Sequence, residues 1–381
     1  MTLFVYDDAL LAYRFSNDHP FNQMRLLLTK TLLEALQLLP EDKIIKPRIA
    51  TDEELLLGHQ PEYIQAVKDA GQQILSASDC EKFGLNSNDT PNFEGMHDKC
   101  ATLVGATLTA VDAVMTGQTK TACNFGGGLH HGFRGRASGF CIYNDSTVAI
   151  EYMRQKYNKR VLYIDTDAHH GDGVQFSFYN DNDVFTYSIH ETGRYLFPGT
   201  GTIHEKGDGN GYLYSMNLPV DAYTEDDSFL HVFRESLIKA CEFFKPDIIL
   251  SQNGADAHYL DPLTHLSVTH RTYQTIPQIV HQCAEQYTDG KWIAIGGGGY
   301  NIFQVAPLAW AQVYNAMLGN PSLEGEIPKS WIDMWQPKSK IKLPKTWNED
   351  LENYESIPRR LDIEEKNEQT LQRTLMHYQT K

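Results

Sequence analysis

The feature that most constrains this chain is a short apolar run that changes abruptly into a polar cluster. Residues 161–164 read Val-Leu-Tyr-Ile, which is typical of a strand buried on both faces. Asp165, Asp167 and His169 follow at a spacing of two, and in an extended chain side chains at that spacing share one face. Two carboxylates held together at the end of a buried strand repel each other, and a bound cation removes that repulsion. The stretch therefore predicts a metal site. The alternative is an ordinary polar loop, which the glycines of the following His-Gly-Asp-Gly disfavour because they suit a tight loop around a site.

Four further apolar runs end in polar or glycine-rich clusters in the same way. In an open α/β sheet, ligands bind outside the carboxyl ends of the strands, so we expect all five clusters to face one crevice. The clusters are His130-His131, Asp165–His169, Ser188–His190, Asp256 and Gly296–Tyr300. Glycine runs lie before His130 and before Tyr300, and they would let the backbone pass close to a ligand or another loop. Neither run has the spacing of a phosphate-binding loop, so phosphate binding is disfavoured.

Strand-like and helix-like segments alternate along the chain, which predicts a mostly parallel central sheet with helices on both faces. The predicted strands cover residues 3–6, 121–125, 161–164, 184–189, 246–252 and 291–295, with a weaker extended segment at 212–218. The predicted helices cover residues 24–39, 62–70, 96–115, 146–157, 224–244, 269–287 and 303–318, with a short helix from residue 51 and a polar one at 362–377. Residues 80–94 have no periodicity and are predicted to form an irregular loop.

The composition disfavours several classes of partner. The net charge is −16, from 49 acidic and 33 basic residues, which argues against nucleic acids and anionic membranes as partners. No apolar run approaches the roughly 18 residues of a membrane span, and the N-terminus lacks the features of a secretion signal. The six cysteines are scattered and are predicted to be free thiols in a reducing compartment. We therefore expect a cytoplasmic protein.

Taken together, four of the polar motifs resemble those of the metal-dependent histone deacetylase family. The motifs are His130-His131, Asp165–Asp172, Gly254–Asp256 and Gly296–Tyr300, and they occur in the family's order. The resemblance extends from about residue 19 to about residue 318. Within the family, the segments at 19–22 and 260–266 are most similar to the bacterial acetoin-utilisation deacetylases.

The resemblance implies a fold and an activity. The fold would be the three-layer α/β arginase/deacetylase fold, with a mostly parallel central sheet and helices on both faces. A deacetylase domain would span residues 1–323, and residues 324–381 would form a C-terminal extension packed on that domain or trailing from it. The activity would be removal of acetyl groups from lysine side chains of proteins, in acetoin or acetate metabolism. The partner would be an acetylated protein substrate, of which an acyl-CoA ligase is one candidate.

The resemblance also implies a metal centre. Asp167, His169 and Asp256 would hold the catalytic metal and leave positions open for water and substrate. Two carboxylates and an imidazole suit Zn²⁺, with Fe²⁺ as the alternative. The family also has sites for a monovalent cation, K⁺ or Na⁺. One such site would use main-chain oxygens of Asp165, Asp167, His169 and Ile189 together with the hydroxyl of Ser188.

The catalytic groups implied by the resemblance are a histidine pair and a tyrosine. His130 and His131 would supply the general base for a water activated by the metal and the acid for the leaving amine. Asp165 and Asp172 would be their carboxylate partners, which fix tautomer and pKa. Tyr300 would donate a hydrogen bond to the substrate carbonyl oxygen as it becomes an oxyanion.

The remaining residues implied by the resemblance would bind substrate and product. Gly139, Phe140, Phe197 and Leu263 would form the walls of a narrow channel for the acyl-lysine side chain. Asp89 would accept hydrogen bonds from the substrate backbone at the rim. An internal cavity through which acetate leaves would be lined by Arg25.

The sequence leaves three other functions open. The same chemistry could act on a small molecule such as an acetylated polyamine, which an acidic surface would attract. A non-catalytic scaffold would be expected to lack ligand residues, and all of them are present here. A binuclear arginase-like enzyme would need a second ligand set; His130 and Asp165 could contribute to one, but the tandem histidines and Tyr300 favour deacetylation. The segment Ala257-His258-Tyr259 departs from several eukaryotic relatives and leaves the acyl-chain preference open.

Overall fold

The computed structural model describes residues 1–16, 18–349 and 357–378. Within these ranges eight strands form one sheet in which all paired neighbours are parallel. The strands are β1 (Thr2–Val5), β2 (Ile44–Ile45), β3 (Thr121–Asn124), β4 (Val161–Asp165), β5 (Val184–Glu191), β6 (Ser215–Val220), β7 (Ile248–Gln252) and β8 (Trp292–Ile295). Their spatial order is β2-β1-β3-β8-β7-β4-β5-β6. The predicted parallel sheet is therefore confirmed.

Twelve α-helices lie within the described residues, and eight of them form two packed groups. The helices are α1 (Met24–Ala35), α2 (Asp52–Leu55), α3 (Pro61–Gly71), α4 (Ala77–Phe83), α5 (Met96–Met115), α6 (Asp145–Tyr157), α7 (Asp172–Ser177), α8 (Asp226–Phe244), α9 (His270–Tyr287), α10 (Ala306–Met317), α11 (Lys329–Trp335) and α12 (Arg360–Leu375). One group contains α3, α5 and α6, and the other contains α1, α8, α9, α10 and α12. The sheet with a helical layer on each face accounts for the three-layer fold.

The central strands are buried on both faces, as continuous apolar runs predict. All five residues of β4 are buried, and β4 lies between β5 and β7. Because every strand is parallel, the segments that follow β3, β4, β5, β7 and β8 leave the same edge of the sheet. That edge is where the five polar clusters of the sequence are found.

The prediction of an irregular loop over residues 80–94 is wrong at its start, where α4 extends to Phe83. Ser76 caps this helix by accepting a hydrogen bond from the main-chain N–H of Asp79, and Gly84 ends it in the left-handed conformation. Seven residues are too few to give a clear helical periodicity, so the helix could be predicted only from its capping residues. The short helices α7 and α11 were also missed.

The C-terminal extension is held against the rest of the chain by buried aromatic and polar side chains. The indole of Trp331 is buried and donates to the main-chain oxygen of Leu28 at 3.0 Å. Asn367 on α12 accepts from the main-chain N–H of Asp221 at 2.8 Å and donates to Thr224 at 2.8 Å. The predicted polar helix is confirmed as α12, whereas the domain boundary at residue 323 stays a prediction.

Two further expectations concern cysteines and membrane spans. All six cysteines are free, as predicted, and all six are buried. Among the described helices none has the length and apolar character that crossing a bilayer requires.

Candidate active site

The loop after β4 is folded by its own carboxylates. Asp165, the last residue of β4, accepts a hydrogen bond from the main-chain N–H of Asp167 at 3.1 Å. Asp167 accepts in turn from the main-chain N–H of His169 at 3.0 Å. Asp165 lies opposite Gln252 in the β4–β7 register, so the segment after β7 runs alongside this loop. Asp256 in that segment accepts from the main-chain N–H of Ala168 at 2.9 Å.

These contacts bring the three predicted metal ligands together. His169 Nδ1 lies 3.1 Å from Asp167 Oδ1 and 3.0 Å from Asp256 Oδ2. All three side chains are buried, and one ligand atom from each lies within 4.8 Å of the others. Burial and the neighbouring Asp167 carboxylate raise the pKa of Asp256 to about 7. Two carboxylates and an imidazole in this arrangement form a donor set that suits a divalent cation, which would offset the repulsion between the carboxylates.

Two glycines make room for this cluster. A Cβ atom at Gly254 would lie 2.6 Å from Asp167 Oδ2, and one at Gly298 would lie 2.0 Å from Asp256 Oδ2. The main-chain N–H of Gly298 also donates to Asp167 Oδ2 at 2.7 Å. The glycines flanking the predicted ligands therefore allow a close backbone approach that any side chain would block.

A second group of possible ligands, His258, His270 and Glu349, is differently arranged. His258 Nδ1 accepts from the main-chain N–H of Leu260 at 3.1 Å, so the neutral ring carries its hydrogen on Nε2. That Nε2–H donates to Glu349 Oε1 at 2.6 Å. His258 therefore has no lone pair available for a metal in this structure.

The tandem histidines are each paired with the predicted carboxylate. His130 Nδ1 donates to Asp165 Oδ2 at 2.7 Å, and His131 Nδ1 donates to Asp172 Oδ1 at 2.7 Å. The Tyr163 hydroxyl donates to the same Asp165 oxygen at 2.9 Å. The two imidazole rings lie 4.0 Å apart, centroid to centroid.

The pKa values of the two histidines are shifted in opposite directions. Burial alone would lower the pKa of His130, but the carboxylates of Asp165 and Asp167 outweigh it and raise the pKa to about 9. Burial, assisted by the charge of His130, lowers the pKa of His131 to about 4. The carboxylates therefore favour the protonated form of His130, whereas burial favours the neutral form of His131, whose Nε2 can then accept a proton.

The predicted channel residues surround His131 and Tyr300. The rings of Phe197 and His131 are 5.0 Å apart, and the rings of Phe140 and Tyr300 are 5.8 Å apart, each pair edge to face. Gly139 has a φ of +51° and packs directly against the His131 ring. Phe140 also has a positive φ, +67°, which is unusual for a bulky side chain and aims its ring at Tyr300.

Tyr300 lies beside the cluster of Asp167, His169 and Asp256. Its ring lies 6.5 Å from that of His169, edge to face. Burial and the carboxylates of Asp256 and Asp167 raise its pKa well above the usual value, so the hydroxyl keeps its hydrogen. The main-chain N–H of Tyr300 donates to Asp261 Oδ2 at 2.8 Å.

Leu263 and Asp89 are each connected to a channel residue through a neighbouring side chain. The main-chain N–H of Leu263 donates to the other oxygen of Asp261 at 3.0 Å, so Leu263 and Tyr300 are tied to one carboxylate. Asp89 is exposed and lies beside His19, where it opposes the lowering of the His19 pKa by burial. The His19 ring packs edge to face on Phe140 at 4.6 Å, which places Asp89 near the outer end of the channel wall.

Arg25 is fully buried behind Tyr300. Its Nη1 donates to the main-chain oxygen of Gly299 at 3.1 Å, and its guanidinium lies 4.5 Å from the Phe21 ring and 4.9 Å from the Trp310 ring. Within the described residues its Nε and Nη2 have no hydrogen-bond partner. Burial lowers its pKa to about 10, so it remains a cation with N–H groups available to an anion.

The residues predicted for a monovalent cation lie on neighbouring strands. Ser188 is opposite Asp165 in the β4–β5 register, and Ile189 follows it. The Ser188 hydroxyl lies 2.8 Å from His190 Nδ1. The cation site itself stays a prediction.

Three supporting carboxylate and amide groups were not predicted. Gln252 donates to Asp167 Oδ2 at 2.7 Å, and Asp261 joins Leu263 to Tyr300 as described. Asp145 accepts from the main-chain N–H groups of Gly128 and Leu129 at 3.0 and 2.9 Å, which holds the glycine run before the histidine pair. Two sequence features could have indicated these residues: Gln252 is at the end of a predicted strand, and Asp145 is at the start of a helix.

Comparison with known proteins gives consistent matches. A protein-family model, described as the histone deacetylase domain, matches residues 19–317. The chain is 56% identical over 375 residues to the acetoin utilization protein AcuC of Bacillus subtilis, covering 98% of this chain and 96% of that protein. It is 51% identical to AcuC of Staphylococcus xylosus, covering 99% and 98%.

The fold also matches solved structures. A crystal structure of a histone deacetylase homologue from Aquifex aeolicus superposes with a TM-score of 0.84 at 30% sequence identity, covering 96% of this chain and 99% of that one. A structure of a histone deacetylase homologue complexed with SAHA matches with the same values. The expected arginase/deacetylase fold is therefore confirmed.

Proposed function

The chain belongs to the histone deacetylase family, and from this membership we propose that it is a metal-dependent hydrolase that removes acetyl groups from lysine side chains of proteins. The observation that carries the proposal is the convergence of three features: the buried cluster of Asp167, His169 and Asp256, and the rings of His131 and Tyr300, which lie 6.0 and 6.5 Å from the His169 ring. Hydrolysis of an amide needs an activated water, a proton acceptor and a donor for the oxyanion, and these groups match those needs.

We propose that Asp167, His169 and Asp256 hold Zn²⁺, with Fe²⁺ as the alternative. When bound, such an ion polarises a carbonyl and lowers the pKa of water. Gln252 and the main-chain N–H of Gly298 fix Asp167 so that its carboxylate stays directed at the cluster.

The two histidines divide the proton transfers. His131 is neutral, and its Nδ1–H is held by Asp172, so Nε2 accepts a proton from the attacking water. The Asp165 carboxylate favours the protonated form of His130, which supplies a proton to the leaving lysine amine. The Tyr300 hydroxyl donates to the carbonyl oxygen, where negative charge develops.

The channel and its rim favour an acyl-lysine within a protein. Phe140 and Phe197 would enclose the uncharged alkyl stem, and Asp89 at the outer end would accept hydrogen bonds from the peptide backbone. Arg25, whose Nε and Nη2 have no hydrogen-bond partner among the described residues, would bind the acetate product. A monovalent ion, K⁺ or Na⁺, is proposed at the Asp165–Ser188 pair.

The names of the relatives suggest the metabolic setting. Proteins 50–56% identical to this chain are called acetoin utilization proteins. We propose that this chain acts in the same metabolism, in the cytoplasm, on an acetylated enzyme such as an acyl-CoA ligase. The alternative substrate is an acetylated polyamine, because the net charge of −16 would attract a polycation.

A direct assay tests the substrate class. Protein of measured metal content is given acetyl-lysine peptides or acetylspermidine, and released acetate is measured. We expect the higher kcat/KM with a peptide, because only a peptide offers backbone N–H groups to Asp89. A kcat/KM for acetylspermidine above that of every peptide would overturn the substrate assignment, and no turnover of either would overturn the proposed activity.

A further inference from the structure

A carboxylate from beyond the matched domain reaches the segment that follows Asp256. Glu349 lies after the domain match, which ends at residue 317, and its Oε1 accepts a 2.6 Å hydrogen bond from His258 Nε2. Its two oxygens also accept from the main-chain N–H of His270, the first residue of α9, at 3.1 and 3.3 Å. The side chain of His258 is fully buried, and that of Glu349 is 11% exposed. One carboxylate thus joins the C-terminal extension, the segment after Asp256 and the start of α9.

His258 makes its Nε2 hydrogen bond to this carboxylate. Its ring packs against the rings of Tyr259 at 4.7 Å and Tyr273 at 6.1 Å, both nearly parallel to it. Its Nδ1 is used by the main-chain N–H of Leu260, so the hydrogen on Nε2 must find its acceptor in Glu349. Removing Glu349 would leave a buried donor unsatisfied, and the segment would have to move to hydrate it.

The segment 258–266 is in turn connected to the reacting groups. Thr264 donates its hydroxyl to the main-chain oxygen of Asp256 at 2.7 Å. Asp261 accepts from the main-chain N–H of Tyr300 at 2.8 Å. A displacement of this segment would therefore reach both a proposed metal ligand and the proposed oxyanion donor.

We propose that Glu349 is a positioning residue for deacetylation, which acts through His258 to hold the 258–266 segment in its productive arrangement. The proposal rests on the proposed deacetylase function. It gives the C-terminal extension a role in the active site, although the extension lies outside the matched domain.

The test uses the full-length, metal-loaded protein. Glu349→Ala should lower kcat/KM for an acetyl-lysine peptide by about 10- to 100-fold, mainly through kcat, because a buried donor loses its partner. Glu349→Gln keeps an acceptor oxygen and should stay within about threefold of wild type. As a control, Trp331→Phe removes the hydrogen bond from the extension to Leu28, far along the chain from the segment, and should lower stability without lowering kcat.

A double substitution and hydrogen exchange separate the outcomes. If Glu349 acts through His258, then His258→Phe combined with Glu349→Ala should lose no more activity than the more impaired single variant. Additive losses, an unchanged kcat in Glu349→Ala or an equal loss in Trp331→Phe would each overturn the proposal. Amide exchange over residues 258–266 should be faster in Glu349→Ala and not in Trp331→Phe. If the wild-type protein deacetylates none of the substrates but the two variants still show this difference in exchange, the proposed function is refuted and the positioning contact stands.

Discussion

Replacing Gly139 with alanine should disable His131 without unfolding the protein. A Cβ atom at residue 139 would lie 2.5 Å from Cδ2 and 2.7 Å from Cγ of the His131 ring. Ordinary van der Waals contact begins at 3.4 Å, so the ring would have to move by about 1 Å. The ring is held by Asp172 at 2.7 Å and packs against Phe197, so such a movement breaks the geometry that both residues impose.

The expected effect has two parts. A displacement of about 1 Å in a catalytic group is associated with a loss of roughly 100-fold in rate, so kcat should fall by about that factor. Placing a Cβ in the left-handed conformation costs about 1–2 kcal/mol of stability in addition. Metal content should be unchanged, because Asp167, His169 and Asp256 are not displaced.

Gly117→Ala is the matched control. Gly117 has a φ of +77°, and a Cβ there would meet nothing within 4 Å. Gly117→Ala therefore introduces the same backbone strain as Gly139→Ala but no contact with His131. Steady-state kinetics and thermal unfolding of both variants give the comparison: similar losses of stability, but a loss of kcat in Gly139→Ala alone. A kcat near wild type in Gly139→Ala, or an equal fall in Gly117→Ala, would refute the reasoning.

Four other substitutions test individual side chains. Tyr300→Phe should lower kcat by roughly 10²–10³ with little change in KM, and a rise in KM alone would make Tyr300 a binding residue. His131→Ala should lower kcat by more than about 100-fold with the metal retained, and a near wild-type pH–rate profile would contradict its role. Asp89→Ala should lower kcat/KM by about 5- to 150-fold for a peptide but not for an acetyl-lysine analogue without backbone amides, and equal losses would make Asp89 structural. Burial lowers the pKa of His59 to about 4, so its contribution to stability, present above pH 6.5, is lost as the pH falls toward 4. His59→Gln should reduce the proton uptake on unfolding between about pH 4 and 6.5 by about one proton, as measured from the pH dependence of the free energy of unfolding in urea. An unchanged pH dependence would exclude His59 as its source.

The sequence was most informative where its pattern was local. Continuous apolar runs located β4 and β5, and parallel strands place all following segments at one edge, so the meeting of Asp165, Asp167 and Asp256 could be predicted. The tandem histidines and their carboxylate partners were implied by the family resemblance, and the structure places each pair within hydrogen-bonding distance.

The supporting contacts could not be predicted, because they join residues far apart in the chain. The hydrogen bond from Gln252 to Asp167 spans 85 positions, and that from His258 to Glu349 spans 91. The opposite pKa shifts of His130 and His131 also depend on burial and on the carboxylates nearby in three dimensions. The proposed positioning role of Glu349 could not be predicted from nearby residues, because the extension contains no recognisable motif.

Stoichiometric metal reconstitution tests the central claim most directly. Chelator-treated protein is titrated with Zn²⁺, and acetate release from an acetyl-lysine peptide is measured at each step. The cluster of Asp167, His169 and Asp256 predicts that activity is restored linearly up to one ion per chain, and that Asp256→Ala neither binds the ion nor regains activity. Full turnover by metal-free protein, or full metal occupancy in Asp256→Ala, would contradict the account.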